Sequence, residues 1–319
     1  MKCDIEDQSW KFDVINGRYP LNSADLVPNS ITAESTLRRK FLSTNKKYKY
    51  KPNTKKHNIK NLEDDTLWLA YSYLLNDPFE CDISIGENKS LIDENIQPGP
   101  KCCFEDIESV IDKSNPLYTY YHAILLRKME TELRPSFNDA KSNFAICSLT
   151  ELRDSILMWS HYANQHEGFC VEYDAHELLN MRQNELFPII YDSYLPDFTL
   201  TSTMDHMKEN IANIIARSHL TKAKDWSYEQ EWRLLSSKNI TSDSKGFTIE
   251  MPKPTGIYLG CKISDCDRNT LLDLCNKRGI KVFQMVRIRN KYELAPTDIS
   301  MCHKNESRNE WELNYTYIF

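Results

Sequence analysis

Glycine is scarce in this chain, with eight in 319 residues, and the scarcity limits the chemistry that can be built. Neither a Gly-x-x-x-x-Gly-Lys phosphate loop nor a Gly-x-Gly-x-x-Gly dinucleotide turn occurs, which excludes P-loop and Rossmann chemistry. A Gly-x-Ser-x-Gly elbow is missing too, which disfavours serine acyl transfer. The ten cysteines include no Cys-x-x-Cys pair, and Cys102 and Cys103 are adjacent, a poor arrangement for two bridges. They read as free thiols of a reducing cytosol. No apolar run approaches the roughly 20 residues needed to cross a bilayer. The start, Met1 to Asp7, carries acids where an export signal carries an apolar stretch. The expected location is therefore cytoplasmic, with no membrane partner.

Acids are absent from one stretch. Between Arg38 and Lys60 there is no Asp or Glu, while Arg38, Arg39, Lys40, Lys46, Lys47, Lys49, Lys51, Lys55, Lys56 and Lys60 are basic. Such a segment suits a pyrophosphate or an RNA backbone, and it equally suits a solvated loop. The overall net charge of −6 argues against coating of nucleic acid by bulk positive charge.

With 40% apolar residues the chain can bury a full core. We expect an extension over 1–45, a single domain over 46–290 and a second extension over 291–319. Lys47 to Lys51 alternates like a strand before Pro52, and Thr66 to Tyr71 is a second strand before the turn Asn76-Asp77-Pro78. Residues 81–103 read as loop, and helices are expected at 104–112 and 117–133, the latter closed by Pro135. Phe144 to Leu149 reads as a buried strand. A helical stripe follows, Leu152, Ile156, Trp159 and Ala163, with Thr150 as its cap. Further strands are expected at 169–173 and 188–191. A helix from about Thr203 to Lys222 would carry Met207, Ile211, Ile214 and Ile215 on its core face. Strands at 231–235, 247–251, 257–260 and 280–288 and a helix at 265–278 complete the pattern. Strands occur in groups, so the fold class is α+β with a mixed, mainly antiparallel central sheet and flanking helices.

The chemistry concentrates in Trp226-Ser227-Tyr228-Glu229-Gln230-Glu231-Trp232-Arg233-Leu234-Leu235. Read as a strand, it places Glu229, Glu231 and Arg233 on one face and Gln230, Trp232 and Leu234 on the other. Two neighbouring carboxylates on a partly enclosed face raise each other's proton affinity, which suits a proton transfer or a cationic transition state. A solvated face neutralised by Arg233 is the competing account. His161, His166 and Glu167 are not read as a metal site, because a five-residue spacing turns the two rings about 140° apart on a helix. His161, Tyr162 and His166 instead offer hydrogen bonds or stacking at a helix end beside a cleft.

Leu67-Trp68-Leu69, Asn76 to Glu80, the block Met158-Trp159-Ser160-His161-Tyr162-Ala163 with His166, Gly168, Phe169 and Cys170, then Lys224, Trp226, Glu229 to Arg233 and Ile257 to Gly260, resemble the bacterial family known as domain of unknown function 2971. The resemblance runs from about Tyr48 to Ile288. It implies a cytoplasmic prokaryotic protein from a family whose members are often associated with defence or mobile elements. A second similarity is to mono-ADP-ribosyltransferases of the arginine-serine-glutamate type, carried by Tyr50 or Lys51, by Ser72, and by Glu229-Gln230-Glu231 before Leu234-Leu235. This sequence departs from that pattern in having no arginine at the first position and Tyr71-Ser72-Tyr73 in place of Ser-Thr-Ser.

That second resemblance implies an ADP-ribosyltransferase-like fold and NAD as substrate. Glu231 would stabilise the ribosyl cation, Glu229 would orient or deprotonate the acceptor, Ser72 and Tyr50 would contact the nicotinamide ribose, and Lys51 or Arg233 would hold the pyrophosphate, with His161 nearby. The expected role is a toxin or anti-phage effector that modifies nucleic acid or protein and acts with a partner protein from the same locus. Two alternatives stay open. One is a non-catalytic module that binds single-stranded nucleic acid through the basic segment and Tyr48, Tyr50, Trp68 and Tyr71. The other is a metal-dependent nuclease using Asp77, Glu80 and Glu231.

Overall fold

The computed structural model describes residues 45–85, 134–139, 141–182, 185–198, 215–237 and 244–314, together with positions 124, 127 and 131. The extension 1–45 up to residue 44, the expected helix at 104–112 and most of those at 117–133 and 203–222 lie outside these residues. The chain runs β1 (Lys46–Lys51), α1 (Lys56–Glu63), β2 (Thr66–Tyr71), β3 (Ser84–Ile85), β4 (Phe144–Thr150), α2 (Ile156–Tyr162), β5 (Phe169–Asp174) and α3 (Ala175–Arg182). Four short strands follow, β6 (Leu186–Pro188), β7 (Ile190–Asp192), β8 (Asp197–Phe198) and β9 (Thr221–Ala223), and then β10 (Glu231–Ser237), β11 (Gly246–Glu250) and β12 (Gly256–Leu259). The described chain ends with α4 (Asp265–Arg278), β13 (Lys281–Arg287), β14 (Leu294–Asp298), β15 (Cys302–Asn305) and β16 (Glu310–Leu313).

Ten strands form one sheet in the order β11-β2-β4-β1-β5-β12-β13-β14, with β10 and then β6 attached through β4. Only β12 and β13 run parallel within it, joined by the crossover helix α4. The fold is α+β with a mixed, mostly antiparallel sheet. The stretch 291–319, set apart above as an extension, supplies β14 to this sheet and places Trp311 of the β15–β16 hairpin in the main core.

Strand alternation divides the core. Leu67, Leu69, Cys147, Leu149, Phe169, Val171, Trp232, Leu234 and Ile257 form the cluster on one face, against Leu178 and Leu179 of α3 and Leu271 of α4. Tyr48, Tyr50, Cys170 and Tyr258 form the cluster on the other, against Met158 and Trp159 of α2. The helices carry explicit end signals. Ser264 caps α4 through Asp267, acids occupy its first turn and Lys277 and Arg278 its last, and Gly279 closes it in the left-handed conformation at φ 62°. Ser155, not Thr150, caps α2; Thr150 is the last residue of β4, because it pairs with both neighbouring strands. Residues 134–139 are helical, so Pro135 does not close the helical region.

The sheet forks at β4. One edge of β4 pairs with β10 along its whole length. The other edge is shared, with Ala145 and Ile146 pairing to β2 and Thr150 pairing to β1. Between these contacts Cys147, Ser148 and Leu149 have no register partner in either strand, and β1 and β2 diverge around them. A gap in a sheet exposes backbone groups that need partners, and the Lys49 ammonium donates to the Ser148 carbonyl at 2.8 Å.

One loop pins α2 beside this gap. Asn164, Gln165 and His166 all have positive φ (46°, 54° and 73°), a run that L-residues rarely adopt. Tight backbone contacts hold it: Gly168 N–H bonds to Ala163 O at 2.8 Å and Lys262 N–H to His166 O at 3.0 Å. A Cβ at Gly168 would lie 2.1 Å from the Lys51 carbonyl oxygen. Gly168→Ala is therefore expected to lose about 1–3 kcal/mol of stability, read by chemical denaturation, and an unchanged midpoint would contradict this packing.

Candidate functional site

A cleft of about 480 Å³ occupies the fork, within the range of small-ligand sites. Because it passes through a gap in the sheet, residues of both strand faces reach it, including Tyr48 and Tyr50 of one face and Lys49 and Lys51 of the other. Its floor is the unpaired stretch of β4. Trp68 and Ala70 of β2, Asn58 and Asn61 of α1, and Met158, His161 and Tyr162 of α2 also line it, as do Glu80, Lys222, Glu229 and Glu231.

Register places the acidic part. Tyr48 pairs with Thr150 and Thr150 with Glu231, so these three side chains form a row across three strands spaced roughly 4.8 Å apart. As expected, Glu231 and Arg233 share a face while Trp232 and Leu234 enter the main core. Glu229 is different. It ends a 3-10 turn (Lys224–Glu229), and Gln230 adopts φ 45° before the strand begins at Glu231. Its carboxylate reaches the same cluster through this turn and not through strand alternation.

The cluster is a largely buried ion network on the wall of the cleft. Lys222 lies 3.0 Å from Glu80, 2.6 Å from Glu229 and 3.0 Å from Glu231. Arg233, fully buried, binds Glu231 through Nε at 2.6 Å, reaches Glu80 at 3.2 Å and donates to the His219 carbonyl at 2.6 Å. The Tyr162 hydroxyl donates to Glu229 Oε1 at 2.6 Å. The Tyr191 hydroxyl accepts the Glu231 backbone N–H at 2.7 Å. Lys222 was expected at the end of a helix; helical residues stop at 220, and β9 pairs with β7 and turns Lys222 into the network.

These surroundings separate the two acids. Burial pushes the Glu229 carboxyl up, against the opposing pull of Lys222 and Tyr162. Burial also acts on Glu231, but Arg233 and Lys222 outweigh it and hold that carboxyl at about 2. Lys222 is raised, since three carboxylates overcome its burial. A carboxyl depressed by folding stabilises the protein above its unfolded value of 4.5 and loses that contribution as pH falls towards about 2. Glu231→Gln is thus expected to flatten the acid-unfolding curve between pH 4.5 and 2, monitored by circular dichroism; a curve as steep as the parent's would contradict the pairing.

The basic part is sparser. Lys51 is 9% exposed, and among the described residues its ammonium has neither a carboxylate nor a hydrogen-bond acceptor. Burial, reinforced by Lys49, lowers it to about 8. Among the described residues, three other lysines of the basic run pair with acids. Lys47 is fully buried against Glu151 and above the Trp232 ring, Lys46 pairs with Glu172 and Asp174, and Lys60 pairs with Asp64.

Of the residues singled out in sequence, the cleft gathers Glu231, Glu229, Tyr50, Lys51 and His161. The Tyr50 hydroxyl donates to the Leu152 carbonyl and its ring packs edge-on against Trp159. Arg233 stands behind the cleft and anchors Glu231. Ser72 is not brought to the site: it lies in a 3-10 turn (Ser72–Leu74), buried, with its hydroxyl donating to Lys141 O. His166 stacks on Trp159 and bonds Ser160 instead of facing the cleft. Asp77 accepts the Trp226 indole N–H. Sequence reasoning passed over Lys222 as a member of the acid network, and Lys49 and Ser148 as lining of the cleft.

No curated protein and no solved structure matches this chain. Residues 158–234, which carry the Met-Trp-Ser-His-Tyr-Ala block, Lys222, Glu229, Glu231 and Arg233, match the family described as a protein of unknown function, DUF2971.

Proposed function

We propose that the cleft catalyses glycosyl transfer from NAD to a nucleic-acid or protein acceptor. The observation that carries this reading is the divergence of Glu229 and Glu231, two carboxylates on one lysine whose proton affinities are driven apart. Paired carboxyls with separated proton affinities suit separate acid-base and electrostatic duties. Glu231, held ionised, would face the positive charge that develops on the ribose as the bond to nicotinamide breaks. The electron pair of that bond leaves with nicotinamide and neutralises its ring. An acceptor lone pair closes on the ribose carbon, and the acceptor proton passes to Glu229. His161 and Tyr50 would border the ribose, while Tyr162 and Lys222 keep Glu229 in place.

The two alternatives receive less support. Tyr48, Tyr50 and Tyr71 are buried and Lys46, Lys47 and Lys49 of β1 are engaged internally, which leaves Trp68 as the exposed member of the expected stacking surface. In the acid cluster, Lys222 and Arg233 already occupy the space and charge that a nuclease would give to cations. The reaction is tested by incubating the purified full chain with NAD and RNA or lysate protein and measuring nicotinamide release. Release above that of Glu231→Gln supports the reading, and equal release from both proteins rejects it. A role as a toxin or defence effector, and a partner protein from the same locus, would follow from the family association.

A further inference from the structure

We infer that the cleft contains a nucleotide subsite in which Lys51, with Lys49 beside it, receives a diphosphate and Trp68 receives the base. The first observation is the isolation of Lys51. A buried ammonium is normally paired, because withdrawing charge from water without a partner is costly. Lys47, four residues earlier on the same strand face, follows that rule with Glu151. Lys51 is nine-tenths buried, lines the cleft, and has no such partner among the described residues. The charged side chain that acts on it is another cation, Lys49, whose ammonium donates to the Ser148 carbonyl at the cleft floor. Two adjacent ammonium groups without an acid between them present the charge that an anion with several oxygens neutralises.

The second observation is Trp68. It is 44% exposed although it stands on a strand flanked by β4 and β11, and it lines the same cleft. An indole left open inside a cleft offers a stacking surface for a planar ring. Asn58 and Asn61 of α1 add neutral polar groups to the lining. Arg233, the other candidate for the pyrophosphate, is excluded because Glu231, Glu80 and the His219 carbonyl take up its donors. This assignment depends on the glycosyl-transfer reading only in taking the nucleotide to be the ADP portion of the substrate.

Calorimetric titration of the full chain with ADP, adenosine and inorganic pyrophosphate tests it. ADP should bind more tightly than adenosine. Lys51→Met should weaken ADP at least tenfold and leave adenosine unchanged, Lys51→Arg should retain most of the ADP affinity, and Trp68→Ala should weaken ADP and adenosine while sparing pyrophosphate. Thermal melts establish that each variant is folded. Equal ADP affinity in folded Lys51→Met, or no ADP binding by the parent at millimolar concentration, overturns the subsite. NAD cleavage with an unchanged KM in Lys51→Met would reject the subsite and keep the reaction. ADP binding through Lys51 without NAD cleavage would do the reverse.

Discussion

Lys222→Met should unfold at markedly lower temperature than the parent. The substitution leaves Glu80, Glu229 and Glu231 gathered within a site that solvent barely reaches, with Arg233 alone to balance them. Removing one partner of a buried charge network costs about 3–5 kcal/mol, since the remaining charges cannot recover hydration. For a domain of this size that corresponds to a Tm lower by roughly 6–20 °C. The loss should be coupled. Adding Glu229→Gln removes one of the stranded acids and should restore part of the stability, so the double variant melts above Lys222→Met. Additive losses, or a Lys222→Met melt within about 2 °C of the parent, would mean that the network is not closed to water.

The second large effect concerns the two carboxylates separately. Glu231→Gln should reduce nicotinamide release about 10²-fold or more, the scale on which a preorganised charge at a developing cation acts. Glu229→Gln should reduce it by roughly 10²–10⁴-fold, the usual range for a positioned base. The pH profile distinguishes them. A base works deprotonated, so the parent's rate should rise with pH through the proton affinity of Glu229, which burial sets above the ordinary carboxylate value. Glu229→Gln should abolish that rising limb. Glu231→Gln should keep the limb at a lower rate. Identical profiles for both variants would remove the division of labour.

Much of this architecture was legible in local patterns. The alternation of Lys47 to Lys51 and of Glu231 to Leu234 assigned faces correctly because a strand has a fixed period of two. The helix at Asp265–Arg278 was legible because its cap, its terminal charges and Gly279 all agree. Features set by distant contacts were not legible. Lys222 continues a helical pattern locally and is diverted by pairing between β9 and β7. Thr150 has the chemistry of a cap, yet two strands claim it. Gln230 takes a left-handed conformation that no residue preference requires, and it changes how Glu229 reaches the site. Ser72 lay in the right order along the chain, but order does not fix position: β2 runs antiparallel to β4, and Ser72 follows Tyr71, which pairs with Ala145, at the end of β2 that leads away from the fork.

The fork in the sheet also dictates when a site can exist during synthesis. Its walls come from Tyr48 on β1, the middle of β4 and Glu231 on β10, and β2 is held in place by β11 still further along. A nascent chain arrested before β9 has β1 and β4 with Glu80, but lacks Lys222, Glu229 and Glu231. Contacts of such long sequence separation close slowly relative to local ones, so ribosome-bound fragments would carry the basic strand early and acquire the complete cleft only near the end of translation.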